Sequence, residues 1–129
     1  MSTMELTRDN LDQTLADHEI VLIDWWAAWC GPCRAFAPVY EQVSEKHDDV
    51  VFGKIDTEAQ QELAAGAQIT SIPTVMAFRD GILLFSQPGV LPAAGLESLI
   101  GQLKELDMDE VRAKLAAAES EMAGDAPQG

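Results

Sequence analysis

Cations are scarce in this sequence. Lys and Arg number 8 against 22 Asp and Glu in 129 residues, a formal net charge of −14. Phosphates would be repelled by such a chain, so neither nucleic acid nor an anionic membrane surface is expected as a partner. A solvated acidic face that aids solubility accounts for the surplus without naming any partner. Long apolar runs are missing too. The longest, residues 20–30, is broken by Asp24 and is too short to span a bilayer. The opening MSTMELTRDN has neither the basic region nor the apolar run of an export signal, so the expected location is the cytoplasm. Cysteine and histidine occur only twice each. His18 and His47 sit in polar surroundings without ligand spacing and read as solvated surface residues, so no metal site is expected. No nucleotide-binding glycine loop occurs either, and electrons for any redox chemistry must come from outside the chain.

What is present reads as one α/β domain with an ordinary apolar content of 47%. EIVLIDWWA, residues 19–27, is a nearly continuous apolar run of the kind expected for a central strand buried on both faces. Phe36, Val39, Tyr40 and Val43 recur at helical spacing over residues 34–47, with a kink expected at Pro38. VVFGKID gives a second strand, and Thr57 with Gln60 has the spacing of a capping box for a short helix. Strand, helix, strand, helix implies parallel pairing through crossovers. Asp80-Gly81 between two apolar runs then signals an antiparallel hairpin, because a type I′ turn needs positive φ at both positions. The sheet is therefore expected to be mixed and flanked by helices.

Two more helices follow, PAAGLESLIGQLKEL and DMDEVRAKLAAAESEM, the second capped by Asp107. The expected division is a domain over residues 1–106, a helical extension over 107–122 and a disordered tail over 123–129. Met108, Val111, Leu115, Ala118 and Met122 form one apolar stripe on the last helix. Two heptads with alanine at a seam position are weak for a coiled coil, so this helix is expected to pack on its own domain and the chain to be a monomer.

Both cysteines lie in WWAAWCGPCR, three positions apart. Two cysteines and two unspaced histidines do not make a structural zinc site. A crosslink closing so small a loop removes little entropy from the unfolded chain, and a reducing compartment opposes it. A reactive dithiol has a positive case. Pro32 suits the first turn of a helix, which leaves Cys30 at the N-terminus, where unpaired N–H groups and the macrodipole favour a thiolate. Cys33 falls one turn in, on the same side and expected to be the less exposed. The thiolate gain is offset in part by lower intrinsic nucleophilicity, so proximity of the second thiol must drive much of the exchange. Gly31-Pro32 offers no cation to stabilise a thiolate, and the pair reads as a reductant.

DWWAAWCGPCR, with SIPT at residues 71–74 and Gly89 after the hairpin, resembles the thioredoxin family over residues 2–105. The resemblance implies the thioredoxin fold and reversible dithiol–disulfide exchange with client proteins. No bound cofactor is implied beyond a redox-active Cys30–Cys33 disulfide, with electrons coming from NADPH through thioredoxin reductase. It makes Cys30 the attacking thiolate and Cys33 the resolving thiol, with Trp29, Gly31 and Pro32 bordering the exposed sulfur. Pro73 is implied to be cis and Ile72 to offer backbone hydrogen bonds to a client, with Gly89 and Val90 as the far wall of the groove. Trp26 matches the tryptophan beneath the family's active site, and Trp25 stands where Phe is usual. Asp24 matches a buried acid of raised pKa that takes a proton from Cys33. The family often places a lysine near that acid. Aligned through KID, that position here is Phe52, with Lys54 two residues further along. A glutaredoxin-like enzyme using glutathione is disfavoured by WCGPC and the lack of a cationic pocket signature. A binding module with incidental cysteines is disfavoured by the intact dithiol, buried acid and Ile-Pro-Thr.

Overall fold

The computed structural model describes residues 3–124. Along the chain come β1 (Thr3–Glu5), α1 (Leu11–Asp17), β2 (Ile20–Trp26), α2 (Gly31–Ser44), β3 (Val51–Asp56) and α3 (Gln61–Gly66). The hairpin β4 (Thr74–Arg79) and β5 (Ile82–Pro88) follows, then α4 (Ala93–Glu105) and α5 (Met108–Gly124). The sheet order is β1-β3-β2-β4-β5. β3 runs parallel to both β1 and β2, whereas β4 is antiparallel to β2 and β5 to β4. This is the expected mixed sheet with helices on both faces.

Alternation along β2 divides the core. Val21, Ile23 and Trp25 pack with Leu6, Ile55 and Met76 on the α1 and α3 side. Ile20 and Leu22 pack with Phe36, Tyr40, Phe52, Leu96 and Ile100 on the other, under α2 and α4. Side chains of a strand point to opposite faces in turn, so Asp24 shares the α2 side with Leu22. That parity puts an acid beneath the helix that carries both cysteines. At the other end of the sheet Asp80 and Gly81 have φ of 53° and 78°, the conformation the hairpin signal required.

Helix boundaries and caps differ from expectation. α2 starts at Gly31 and ends at Ser44, not at residues 34 and 47, with Pro38 inside it. The capping box is absent: the Thr57 hydroxyl donates to the Trp26 carbonyl at 3.0 Å, and Gln60 Oε1 accepts the Arg8 backbone N–H. Asp56 takes over at that turn, accepting the backbone N–H of Glu58 at 2.9 Å. β1 and α1 have no counterpart in the sequence pattern.

Among the described residues α5 is covered by the domain only at its start. Asp107 Oδ1 accepts the Glu110 N–H at 3.2 Å, as its capping role required. Met108 is buried and Val111 half-buried, but Leu115 is 41% exposed and Ala118 is exposed. Among the described residues the stripe is covered only as far as Val111, so its packing on the domain stops after the first turn of the helix. The helix is held instead at its base, by Arg112 paired with Asp80 at 3.2 Å and by Arg79 donating to the carbonyls of Leu103 and Leu106. The side chain of Met122 lies outside the described residues, as does the tail from residue 125 on. Truncation after Leu106 is expected to lower stability by about 2 kcal/mol, the scale of one buried Met, and to leave the cysteine chemistry nearly intact. Urea denaturation of the truncated and full chains measures the difference.

Candidate active site

β2 ends at Trp26, and a short loop delivers Cys30 to the N-cap of α2. Its backbone there is extended, with φ −84° and ψ 113°, while its carbonyl already accepts the Arg34 N–H. Pro32 occupies the first turn, where a missing N–H costs nothing. The Cys33 N–H donates to Cys30 Sγ at 3.2 Å, so the sulfur is the side-chain cap of this helix. A backbone donor and the positive end of the helix both favour negative charge on that sulfur. Cys30 and Cys33 are joined as a disulfide with a Cα–Cα distance of 5.2 Å.

The expected contrast in exposure between the two cysteines is not found. Cys30 is 3% exposed and Cys33 2%. What separates them is access to a cleft of about 410 Å³, to which Cys30 contributes a wall together with Trp29, Gly31, Pro32 and Ile72. Cys33 is not among the residues lining that cleft. Cys30 Sγ lies 3.8 Å from the Ile72 carbonyl oxygen, and the Ile72–Pro73 bond is cis. Gly89 has φ +98° and donates its N–H to the Pro73 carbonyl at 2.7 Å, which ties the end of the hairpin to the cis segment. Gly89 and Val90 stand outside this cleft, and Val90 is 51% exposed.

Asp24 is fully buried, and neither carboxylate oxygen has a hydrogen-bond partner among the described residues. Burial pushes its pKa up from 3.8 to about 7, opposed by the charge of Lys54. The position opposite this acid belongs to Lys54 and not to Phe52. Phe52 is a buried core ring, whereas Lys54 stands directly across from Asp24 in the β2–β3 register. Lys54 Nζ also lies 5.0 Å from the centre of the Trp26 ring. The charge of Asp24 is felt nearby as well, adding to burial in raising the pKa of Tyr40. Lys54→Met is expected to move the Asp24 titration to higher pH, because the opposing charge is lost. NMR titration of the Asp24 carboxyl carbon checks the sign.

Two further contacts escaped the sequence. Trp29 Nε1 donates to Glu58 Oε1 at 2.8 Å, and Arg34 Nη1 donates to the Ala28 carbonyl at 3.1 Å. Among the described residues no group of His, Cys, Asp and Glu is arranged to hold a metal ion. No described helix is long and apolar enough to cross a membrane.

The family model Thioredoxin matches residues 2–102. A relative described as Putative thioredoxin 2, from Streptomyces coelicolor, is 56% identical over 120 residues, covering 93% of this chain and 90% of its own. The thioredoxin of Alicyclobacillus acidocaldarius is 38% identical over 103 residues, covering 79% of this chain and 98% of its own. Among solved structures, a mutant thioredoxin from Halobacterium salinarum matches with a TM-score of 0.76 and 32% identity, over 81% of this chain and 93% of that one. Sequence, sheet order and a helix-capping Cys30 disulfide-bonded to Cys33 thus agree, and this chain belongs to the thioredoxin family of thiol–disulfide oxidoreductases.

Proposed function

We propose that this chain is a cytoplasmic protein-disulfide reductase, regenerated from NADPH by thioredoxin reductase. The observation that carries the reading is the position of Cys30 Sγ, which accepts the Cys33 N–H as the helix cap and is set in the wall of the cleft. In the reduced protein Cys30 attacks one sulfur of a client disulfide as the thiolate. The client S–S bond breaks, its other sulfur leaves with a proton as a thiol, and a Cys30–client mixed disulfide forms. Asp24 accepts the proton of Cys33, whose thiolate then attacks Cys30 Sγ. The mixed disulfide breaks, the second client sulfur is released and protonated, and Cys30–Cys33 closes. Two electrons pass to the client; of its two protons one comes from solvent, which took that of Cys30, and the other from Cys33 by way of Asp24.

Trp29, Gly31 and Pro32 shape the approach to Cys30, and the Ile72 carbonyl offers an acceptor to an extended client segment. Gly89 and Val90 extend the client surface beyond the cleft, along the segment hydrogen-bonded to Pro73. Residues 1–106 suffice for this chemistry, and the chain works as a monomer.

A coupled assay tests the electron route. With a protein disulfide as acceptor, NADPH oxidation is expected to require both this chain and thioredoxin reductase, with little turnover when glutathione replaces that enzyme. Equal or faster turnover with glutathione would assign the chain to the glutaredoxin type instead.

A further inference from the structure

Beside Cys30 the cleft walls carry no charged side chain; Thr57, Ala64, Ile69 and Ser71 continue what Trp29 and Ile72 begin. Charge enters at the rim. Trp29 is 67% exposed, and its indole is bonded through Nε1 to Glu58, an exposed residue. Glu58 is itself placed by the turn that Asp56 closes on its N–H. Cations near this end of the sheet are engaged with other groups. Arg34 is bonded to the Ala28 carbonyl, Arg8 is paired with Glu62 at 2.9 Å, and Lys54 lies against Trp26. The indole N–H engages one oxygen of Glu58, and a carboxylate accepts more than one donor.

We infer that Glu58 is a specificity residue of the client cleft: it fixes Trp29 through the indole N–H and favours client disulfides flanked by Lys or Arg over those flanked by Asp or Glu. The inference rests on the reading of Cys30 as the attacking sulfur. It gains from the chain's net charge of −14, which draws basic segments in and slows acidic ones. An exposed carboxylate–ammonium pair sets the scale at about two- to five-fold in kcat/KM at low salt, and added salt reduces it.

Three otherwise identical disulfide peptides, with Lys, Gln or Glu beside the reactive cysteine, test this. The Lys peptide is expected to be reduced about two- to five-fold more efficiently than the Glu peptide at low ionic strength. Glu58→Gln keeps an acceptor for the indole but loses the charge. It should shrink the Lys-to-Glu ratio while leaving the Trp29 indole N–H resonance near its place. Glu58→Ala should shrink the ratio and shift the resonance, and Glu58→Lys should invert the preference. Glu119→Gln on α5 removes the same charge far along the chain and should leave the ratio as it is. A ratio of one in the unaltered chain, or equal shrinkage in Glu58→Gln and Glu119→Gln, overturns the assignment. Failure to reduce even the Gln peptide overturns the dithiol reading, and this inference with it.

Discussion

Cys30→Ser is expected to bring disulfide turnover down to the uncatalysed background, while Cys33→Ser captures a client and keeps it. Both sulfurs are almost fully buried, so exposure alone does not divide their work. The division comes from the cleft, which Cys30 lines and Cys33 does not. Without Cys30 no sulfur faces the client. Without Cys33 the first exchange still runs, but the intramolecular attack that completes it is gone. Effective molarities of well-oriented intramolecular reactions reach about 10⁵–10⁸ M, which millimolar external thiol cannot replace. The mixed disulfide should therefore persist long enough for non-reducing electrophoresis and peptide mass mapping. Normal turnover by Cys33→Ser, or trapping by Cys30→Ser, would reverse the assignment.

Asp24→Asn carries the largest expected effect on stability. The Asp24 carboxyl titrates at about 7 in the fold against an ordinary 3.8, chiefly because burial disfavours the ion. Between those values the folded chain holds a proton that the unfolded chain has released. Stability therefore falls as pH rises through that window, and the loss is complete above about pH 7. Roughly three pH units correspond to about 4 kcal/mol. Asn has no such window. The variant should exceed the unaltered chain by about 4 kcal/mol at about pH 8 and lie close to it below about pH 4, by chemical denaturation at each pH. It should also resolve mixed disulfides more slowly and lose the titration near neutrality from its pH–rate profile. A stability difference that does not change with pH would remove Asp24 from the proton account.

The central strand, the hairpin and the dithiol were legible because each is a local signal. Residues 20–26 form an apolar run, Asp80-Gly81 demands one turn type, and Cys30 precedes a proline suited to a first helical turn. β1 was not legible because three residues at a sheet edge are too few to show an alternation. Thr57 misled because its hydroxyl had a better acceptor, the Trp26 carbonyl, supplied by a strand 31 positions away. The sequence leaves the partner of Asp24 open for a related reason. Which β3 residue faces Asp24 is decided by long-range register, and parity along the strand narrows it without fixing it. The Trp29–Glu58 bond spans 29 positions and leaves no periodic trace. On α5 the stripe is real in sequence, yet of its described members only Met108 and Val111 find a surface to cover.

The most direct test of the account is a single turnover without any regenerating enzyme. Fully reduced protein, mixed with a model protein disulfide, is expected to reduce one disulfide per chain. Two client thiols should appear as two protein thiols vanish, and peptide mapping should recover a Cys30–Cys33 disulfide. Client binding that leaves both protein thiols titratable, and that survives replacement of both cysteines, would contradict the account and make this chain a binding module.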